Sequence, residues 1–520
     1  MSLGDRVRRA WPASLVAMAV VATIVAWLAS DRGFSTFLAI GIAFGGAAVA
    51  GLLAPKWPVA AFGVLFVLAS LTRFDVELPI GAMRLEQPAI AVVVATLFVF
   101  RVRMSLPSIR PIVPICVAAA VYLAALAASS LLNAPDRGVS LRIVAWTGVS
   151  MVAGVAAYLL TAGAALRARA VERPTAWMVG AGAATALGGI AAAVLFYLVG
   201  PYIAGVDGPD SIIPRVQLWA WEVNLYAIYV AAIVPLALEE YRRRPRPPMA
   251  ALVAALVAGM ALGITRGAWL GLAAGVTLYA LVLFRQRVPR LDLGRAVAVT
   301  VGGALVGLVL ASVLLDSSVQ LDHLIAALPP VPTATPAASV SPGSSTPRPL
   351  SGSPTPRPLP TPRPLPTLRP AVGSTDSTVA FRLDRIKPAL DDWMTSPFIG
   401  LGAESYGQRH ADPSQGGAPD HIAIMGLDVL YDSGLVGVAG LLAVMLLAAQ
   451  ALWRSARRAG STGTAAAYLG ALTVLVVAYQ ATNALHFALN WLLLGAALGF
   501  AFGTARRQPN EDLPVRAAAV

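Results

Sequence analysis

Charge is scarce in this chain. Of its 520 residues, 57% are hydrophobic and 12% charged, and the mean hydropathy is +0.72. So few charged side chains cannot clothe a water-soluble globule, which excludes that class and indicates an all-α, polytopic helical membrane protein. Cysteine is nearly missing: Cys116 stands alone in an apolar run, so an intrachain disulfide and a thiolate metal site are both excluded. Only four histidines occur, and there is no His-Glu-x-x-His, no Asp-x-Asp and no Walker A motif. Neither a metal, nor another cofactor, nor ATP hydrolysis is therefore expected. Lysine is confined to Lys56 and Lys387, a usage that suggests a GC-rich bacterial genome.

Long apolar runs fill the space that charge leaves. Fourteen segments read as membrane-crossing helices: about 11–30, 34–54, 57–72, 88–104, 112–132, 143–165, 175–199, 222–238, 249–265, 267–284, 296–314, 424–450, 464–482 and 485–504. A span needs about 20 apolar residues and satisfies its own backbone hydrogen bonds. The first segment follows Arg6, Arg8 and Arg9 like a signal peptide, but it is long enough to span and is read as retained. A net charge of +13 would suit nucleic acid if it formed one patch. The arginines instead lie in short loops between the apolar runs, so no nucleic-acid partner is expected.

Those loops set the orientation. With the N-terminus in the cytoplasm, the cytoplasmic loops hold Arg101, Arg103 and Arg110, then Arg167, Arg169 and Arg173, then the Arg242–Arg246 cluster. Arg285, Arg287, Arg290 and Arg295 follow, then Arg454, Arg457 and Arg458. Opposite loops carry one or two arginines each, so both termini are expected inside a bacterial cytoplasmic membrane. The chain divides into an N-terminal membrane region at 1–314 and a loop outside at 315–423. A C-terminal membrane region at 424–504 and a cytoplasmic tail at 505–520 complete it.

The outer loop has two parts. Thr-Pro-Arg-Pro-Leu repeats start at Thr346, Thr355 and Thr361. The Pro/Ser/Thr-rich stretch around them, 329–371, cannot bury a core and is expected to be a disordered tether. After it, Leu383, Ile386, Leu390 and Trp393 draw one apolar stripe, which predicts an amphipathic helix over 378–395. Pro397 ends it, and Gly400 and Gly402 permit a tight turn. Such a helix belongs on the bilayer surface or over the bundle.

Several polar groups stand at the outer side. Arg266 sits between two spans with almost no loop around it. It either snorkels to the interface or faces a polar cavity. Arg215 precedes Trp219, Trp221, Glu222 and Asn224. The tryptophans suit an interfacial belt, and Glu222 offers Arg215 an ion-pair partner. Two outward arginines would also suit a diphosphate, which guanidinium groups bind bidentately. Of the histidines, His421 is the best placed for a base, adjoining both the loop helix and the next span. His410 shares the loop, and His486 lies in the last outer turn. Asp391 and Asp392 read as a plain acidic pair on the amphipathic helix.

Four segments then resemble, in order, those of the O-antigen ligase and O-antigen polymerase superfamily. Arg215 with Asn224, Tyr229 and Pro235 is similar to its "R…pN…yl…lPl" stretch, and Ile264–Gly271 to its "SRgawlg" span end. Arg382–Ile386 through Trp393, then Ser396–Gly402, resembles its "R…W…hPl-GvG" segment. His421–Gly437 looks like "HN-x-yL…E-x-GliG", except that Ile422 follows the histidine and the spacing is two residues longer. Two residues turn a helix by about 200°, so His421 matches the family position only if the chain there is not helical.

The resemblance implies a metal-independent glycosyltransferase with a GT-C-like fold. It would take a glycan from a polyprenyl-diphosphate carrier on the outer face and pass it to a hydroxyl of a glycan, lipid or protein acceptor. Arg215 and Arg266 would hold the diphosphate and stabilise it as it leaves, with Arg382 a further ligand. His421 would be the base. A lipid-linked glycan flippase is the alternative; transporters of that kind usually show related halves, and no repeat is visible here. The peptidoglycan polymerases of cell shape and division share the general plan, but their acidic loop motif is missing.

Overall fold

The computed structural model describes residues 36–71, 75–78, 81–100, 106–165, 173–199, 215, 216, 218, 220, 223–288, 290–314, 377–410, 422–458, 460–482 and 484–505. The first apolar segment, the tether and the C-terminal tail fall outside them. Two helices open the described chain, α1 (Thr36–Leu53) and α2 (Pro58–Ser70). A short antiparallel hairpin follows, β1 (Asp75–Leu78) and β2 (Gly81–Arg84), with Asp75 opposite Arg84. Then come α3 (Glu86–Val99), α4 (Val113–Asn133), α5 (Arg137–Ala165), α6 (Pro174–Val199), α7 (Val223–Arg243), α8 (Pro247–Ala261), α9 (Arg266–Arg285) and α10 (Arg290–Leu314). The loop region supplies α11 (Ser377–Trp393) and α12 (Ser405–His410). The last three are α13 (Met425–Ala456), α14 (Thr462–Ala478) and α15 (Ala488–Ala505).

Among the described residues the molecule is therefore all-α apart from one hairpin. Each apolar segment from 34–54 onward coincides with a helix, and among the described residues eight helices are long and apolar enough to cross a membrane. Five more apolar helices are shorter. Proline opens several of them, at Pro58, Pro174 and Pro247, where its fixed φ suits the first turn and its missing N–H costs nothing.

Small residues decide which helices touch. A Cβ on Gly267, Gly271 or Gly275 of α9 would lie 2.9 Å or less from Ala481, Val474 or Gly470, so α9 lies backbone to backbone along α14. Gly303 and Gly307 of α10 meet Ala254 and Ala258 of α8 in the same way. Without side chains between them, helices gain close van der Waals contact, which is what drives association in lipid.

At one end of the bundle Glu239 ties three of these helices. Its buried carboxylate accepts from Arg242 Nε at 2.8 Å, Arg243 Nε at 2.7 Å and the Tyr279 hydroxyl at 3.1 Å. Arg243 also donates to Thr464 on α14. A buried carboxylate is tolerable only when paired in this way. The opposite end carries Arg266.

Candidate functional site

The predicted arginines lie on segments that touch one another at the Arg266 end. The Val216 N–H, next to Arg215, donates to the Leu262 carbonyl at 3.1 Å. That carbonyl begins the turn from α8 to α9, where Ile264 adopts φ +46° and the Thr265 hydroxyl lies 3.2 Å from Asn224 Oδ1. Arg266 then opens α9, its side chain exposed. Among the described residues it makes no hydrogen bond or ion pair. Its place at a helix N-terminus adds the free N–H groups and positive dipole end to its own charge.

Arg382 reaches the same place from the loop. Its Nη2 donates to the Ala481 carbonyl at 2.9 Å, and Ala481 is the residue against which Gly267 packs. Its Nε is buried with no hydrogen-bond partner among the described residues. One contact thus holds the guanidinium beside the head of α9 and leaves a donor unused. Arg215 is half-buried; Glu222, the carboxylate the sequence offers it, lies outside the described residues.

The two loop motifs anneal to each other. α13 breaks at Gly434, with φ 63° and ψ −169°, which exposes main-chain groups that a continuous helix would have used. The Pro397–Gly402 segment takes them up. Leu401 N–H donates to Tyr431 O at 2.8 Å and Gly402 N–H to Asp432 O at 3.0 Å. In the other direction, Leu435 N–H donates to Pro397 O at 3.0 Å and Val436 N–H to Phe398 O at 3.2 Å. Trp393 Nε1 adds a bond to Pro397 O at 3.2 Å, so the end of α11 is fixed to the break.

The helix α11 turns only part of its apolar stripe inward: Ile386 and Trp393 are half-buried, and Trp393 packs against the cluster around Tyr431. Leu383 and Leu390 are exposed, while Arg385 and Ala389 are buried. Polar reach explains the difference: Arg382, on the inward side, bonds to the bundle, and small Ala389 allows close approach to Tyr431 and Leu401. Asp391 and Asp392 also part company. Asp391 pairs with Lys387 at 2.6 Å, whereas Asp392 Oδ2 receives His410 Nε2 at 2.7 Å and the Tyr431 hydroxyl at 2.9 Å.

His421 lies outside the described residues. The three residues after it are described and are not helical: α13 starts at Met425, and Ala423 has φ +57°. The non-helical condition under which the longer spacing is harmless therefore holds for Ile422–Ile424.

One group at this end escapes the sequence reading. Arg84, at the end of β2, is buried between Trp146 and Phe487, its guanidinium 4.4 Å and 4.1 Å from their ring centres. Its Nη1 donates to the His486 carbonyl at 3.4 Å, which also accepts from the Ser150 hydroxyl at 2.9 Å. Burial, and then the Arg84 charge, push the His486 imidazole down to about 3, so it stays neutral. The signal in sequence was an arginine and a glutamate, Arg84 and Glu86, flanking the start of an apolar helix. Among the described residues, no group of three or more His, Cys, Asp or Glu is placed to hold a metal ion.

These features define a multi-pass, all-α membrane protein with Arg84, Arg215, Arg266 and Arg382 at one end. Residues 250–442 match the family model described as O-antigen ligase. The matched span runs from α8 into α13, so it includes Arg266, Arg382 and both annealed loop motifs, while Arg215 and the Ala481 turn lie outside it. No curated protein sequence matches the chain.

Proposed function

We propose that the protein transfers a glycan from a polyprenyl-diphosphate carrier to an acceptor hydroxyl at the outer face of the bacterial cytoplasmic membrane. The observation that carries this reading is Arg266, exposed and unpaired among the described residues, at the head of an apolar helix beside the segments of Arg215 and Arg382. A cation at a membrane boundary without a carboxylate partner is suited to an anionic ligand, and guanidinium groups match diphosphate oxygens in pairs. As the acceptor oxygen bonds to the anomeric carbon, the bond to the diphosphate oxygen breaks and negative charge grows there. Arg215, Arg266 and Arg382 stabilise that charge, His421 takes the acceptor proton, and holding both reactants together supplies proximity.

The test is mass spectrometry of lipid extracts from a deletion strain complemented with wild type or Arg266→Ala. Accumulation of finished, outward-facing carrier-linked glycans in the deletion and the mutant supports the transferase. The same lipids trapped on the cytoplasmic face would identify a flippase, and an unchanged lipid profile would sink both readings.

A further inference from the structure

The helices α9 and α10 follow one another in sequence yet scarcely pack together. The reason lies in their glycines. Gly267, Gly271 and Gly275 draw α9 onto α14, while Gly303 and Gly307 draw α10 onto α8. Pulled to different neighbours, the pair leaves a groove of about 560 Å³ between them, open sideways. It is lined on α9 from Trp269 to Phe284 and on α10 from Val297 to Ala304. At 1.5 Å per residue, the α9 side is about 22 Å long, most of the thickness of a bilayer core. Its walls are apolar except for Thr277 and Thr300, and the Thr300 hydroxyl donates to its own helix at Ala296 O, 2.9 Å away. Beyond Phe284 the chain makes a tight turn after Arg285, with Val288 N–H donating to Leu283 O at 3.1 Å.

Position along α9 links this groove to the arginines. Trp269, Ala273, Val276, Ala280 and Phe284 line it, and they stand 3, 7, 10, 14 and 18 residues after Arg266. At about 100° per residue these steps return to one helix face, so Arg266 heads the stripe that forms the wall. A cation above a long single apolar slot matches an amphiphile with an anionic head and one long tail.

We infer that the α9–α10 groove is the seat of the donor's isoprenoid tail, with the diphosphate at Arg266. This rests on the donor class proposed above. The groove then does two things: it sets the depth and angle of the diphosphate, and it selects carriers by their tails. Apolar burial along about 22 Å of helix retains the spent carrier until a new one displaces it.

The experiment uses the full chain in nanodiscs and a polyprenyl diphosphate bearing a diazirine in its tail, with crosslinks mapped by peptide mass spectrometry. Label is expected on residues 269–284 and 297–304. Excess unlabelled polyprenyl diphosphate should reduce it at least tenfold, and excess phosphatidylglycerol should not. Filling the slot with Ala280→Trp or with Val301→Trp should lower labelling at least tenfold in protein that retains the wild-type gel-filtration profile. Label competed equally by phosphatidylglycerol, or mapping to other helices, overturns the inference and makes the groove an ordinary lipid contact. Groove labelling without glycan transfer would sustain the tail site and overturn the transferase reading. Glycan transfer without groove labelling would do the reverse.

Discussion

Gly400 and Gly434 lie so close that neither has room for a side chain. A Cβ on Gly400 would sit 2.5 Å from the Gly434 nitrogen, and one on Gly434 would strike the Phe398 carbonyl. Both also have positive φ, 89° and 63°, where a side chain costs about 1–2 kcal/mol before any clash. Gly434→Ala is thus expected to lower stability by at least about 2 kcal/mol, read as the unfolding midpoint in detergent. Gly426→Ala is the control: its backbone is helical, its nearest neighbour is the end of Gln480 at 3.2 Å, and its midpoint should stay near wild type.

Arg266→Ala separates function from folding. The side chain is exposed and makes no hydrogen bond or ion pair among the described residues, so the unfolding midpoint should not move. Transfer should fall about 100-fold or more, the usual loss when one group facing a developing anion is removed. Arg266→Lys keeps the charge and loses the planar fork, so it too should lose most activity. Wild-type turnover by the lysine variant would rule out bidentate binding.

Arg84→Leu should destabilise the Arg266 end. It removes two stacked aromatic contacts and a bond to the His486 carbonyl, and a desolvated cation–π contact is worth about 2 kcal/mol. The effect is a lowered unfolding midpoint, with Arg84→Lys falling between the two because an ammonium cannot stack flat on both rings.

The neutral His486 predicts a pH dependence. Its folded value of about 3 lies below the ordinary 6.5, so the unfolded chain binds a proton that the folded chain refuses. Stability from this group is complete above about 6.5 and is lost as pH falls towards 3. The difference in unfolding midpoint between wild type and His486→Asn should therefore change across that window and be flat above it. A constant difference from pH 7 to pH 4 would show that the imidazole protonates in the folded state.

At the opposite end, Glu239→Ala should be severe. It leaves Arg242, Arg243 and the Tyr279 hydroxyl without their acceptor, and breaking a buried pair from one side costs about 3–5 kcal/mol. Thermal unfolding in detergent checks this, and a change below about 1 kcal/mol would place the cluster among ordinary surface pairs.

Composition and hydropathy made the helical membrane architecture legible, because apolar runs of span length have few other uses. The motif order around the loop likewise pointed to the family. Sequence could not show that Pro397–Gly402 takes up the hydrogen bonds freed at Gly434, because that pairing joins residues thirty or more positions apart through backbone atoms. Which residues of α11 face inward was not legible for a related reason. Leu383 and Leu390 obey helical periodicity, but the direction of a stripe depends on what waits across the gap, and here that is the Ala481 carbonyl. Arg84 was missed because its aromatic neighbours come from α5 and the turn before α15.

The glycine row at 267, 271 and 275 has a mechanical consequence. Helices separated by side chains can slip by exchanging rotamers, whereas two backbones in contact have nothing to exchange. The α9 helix is thereby registered on α14 as a scale is on its mount, and the root of Arg266 keeps one height relative to Ala481. Whatever anion arrives there meets a fixed datum, and adjustment falls to the long arginine arm and to the ligand itself.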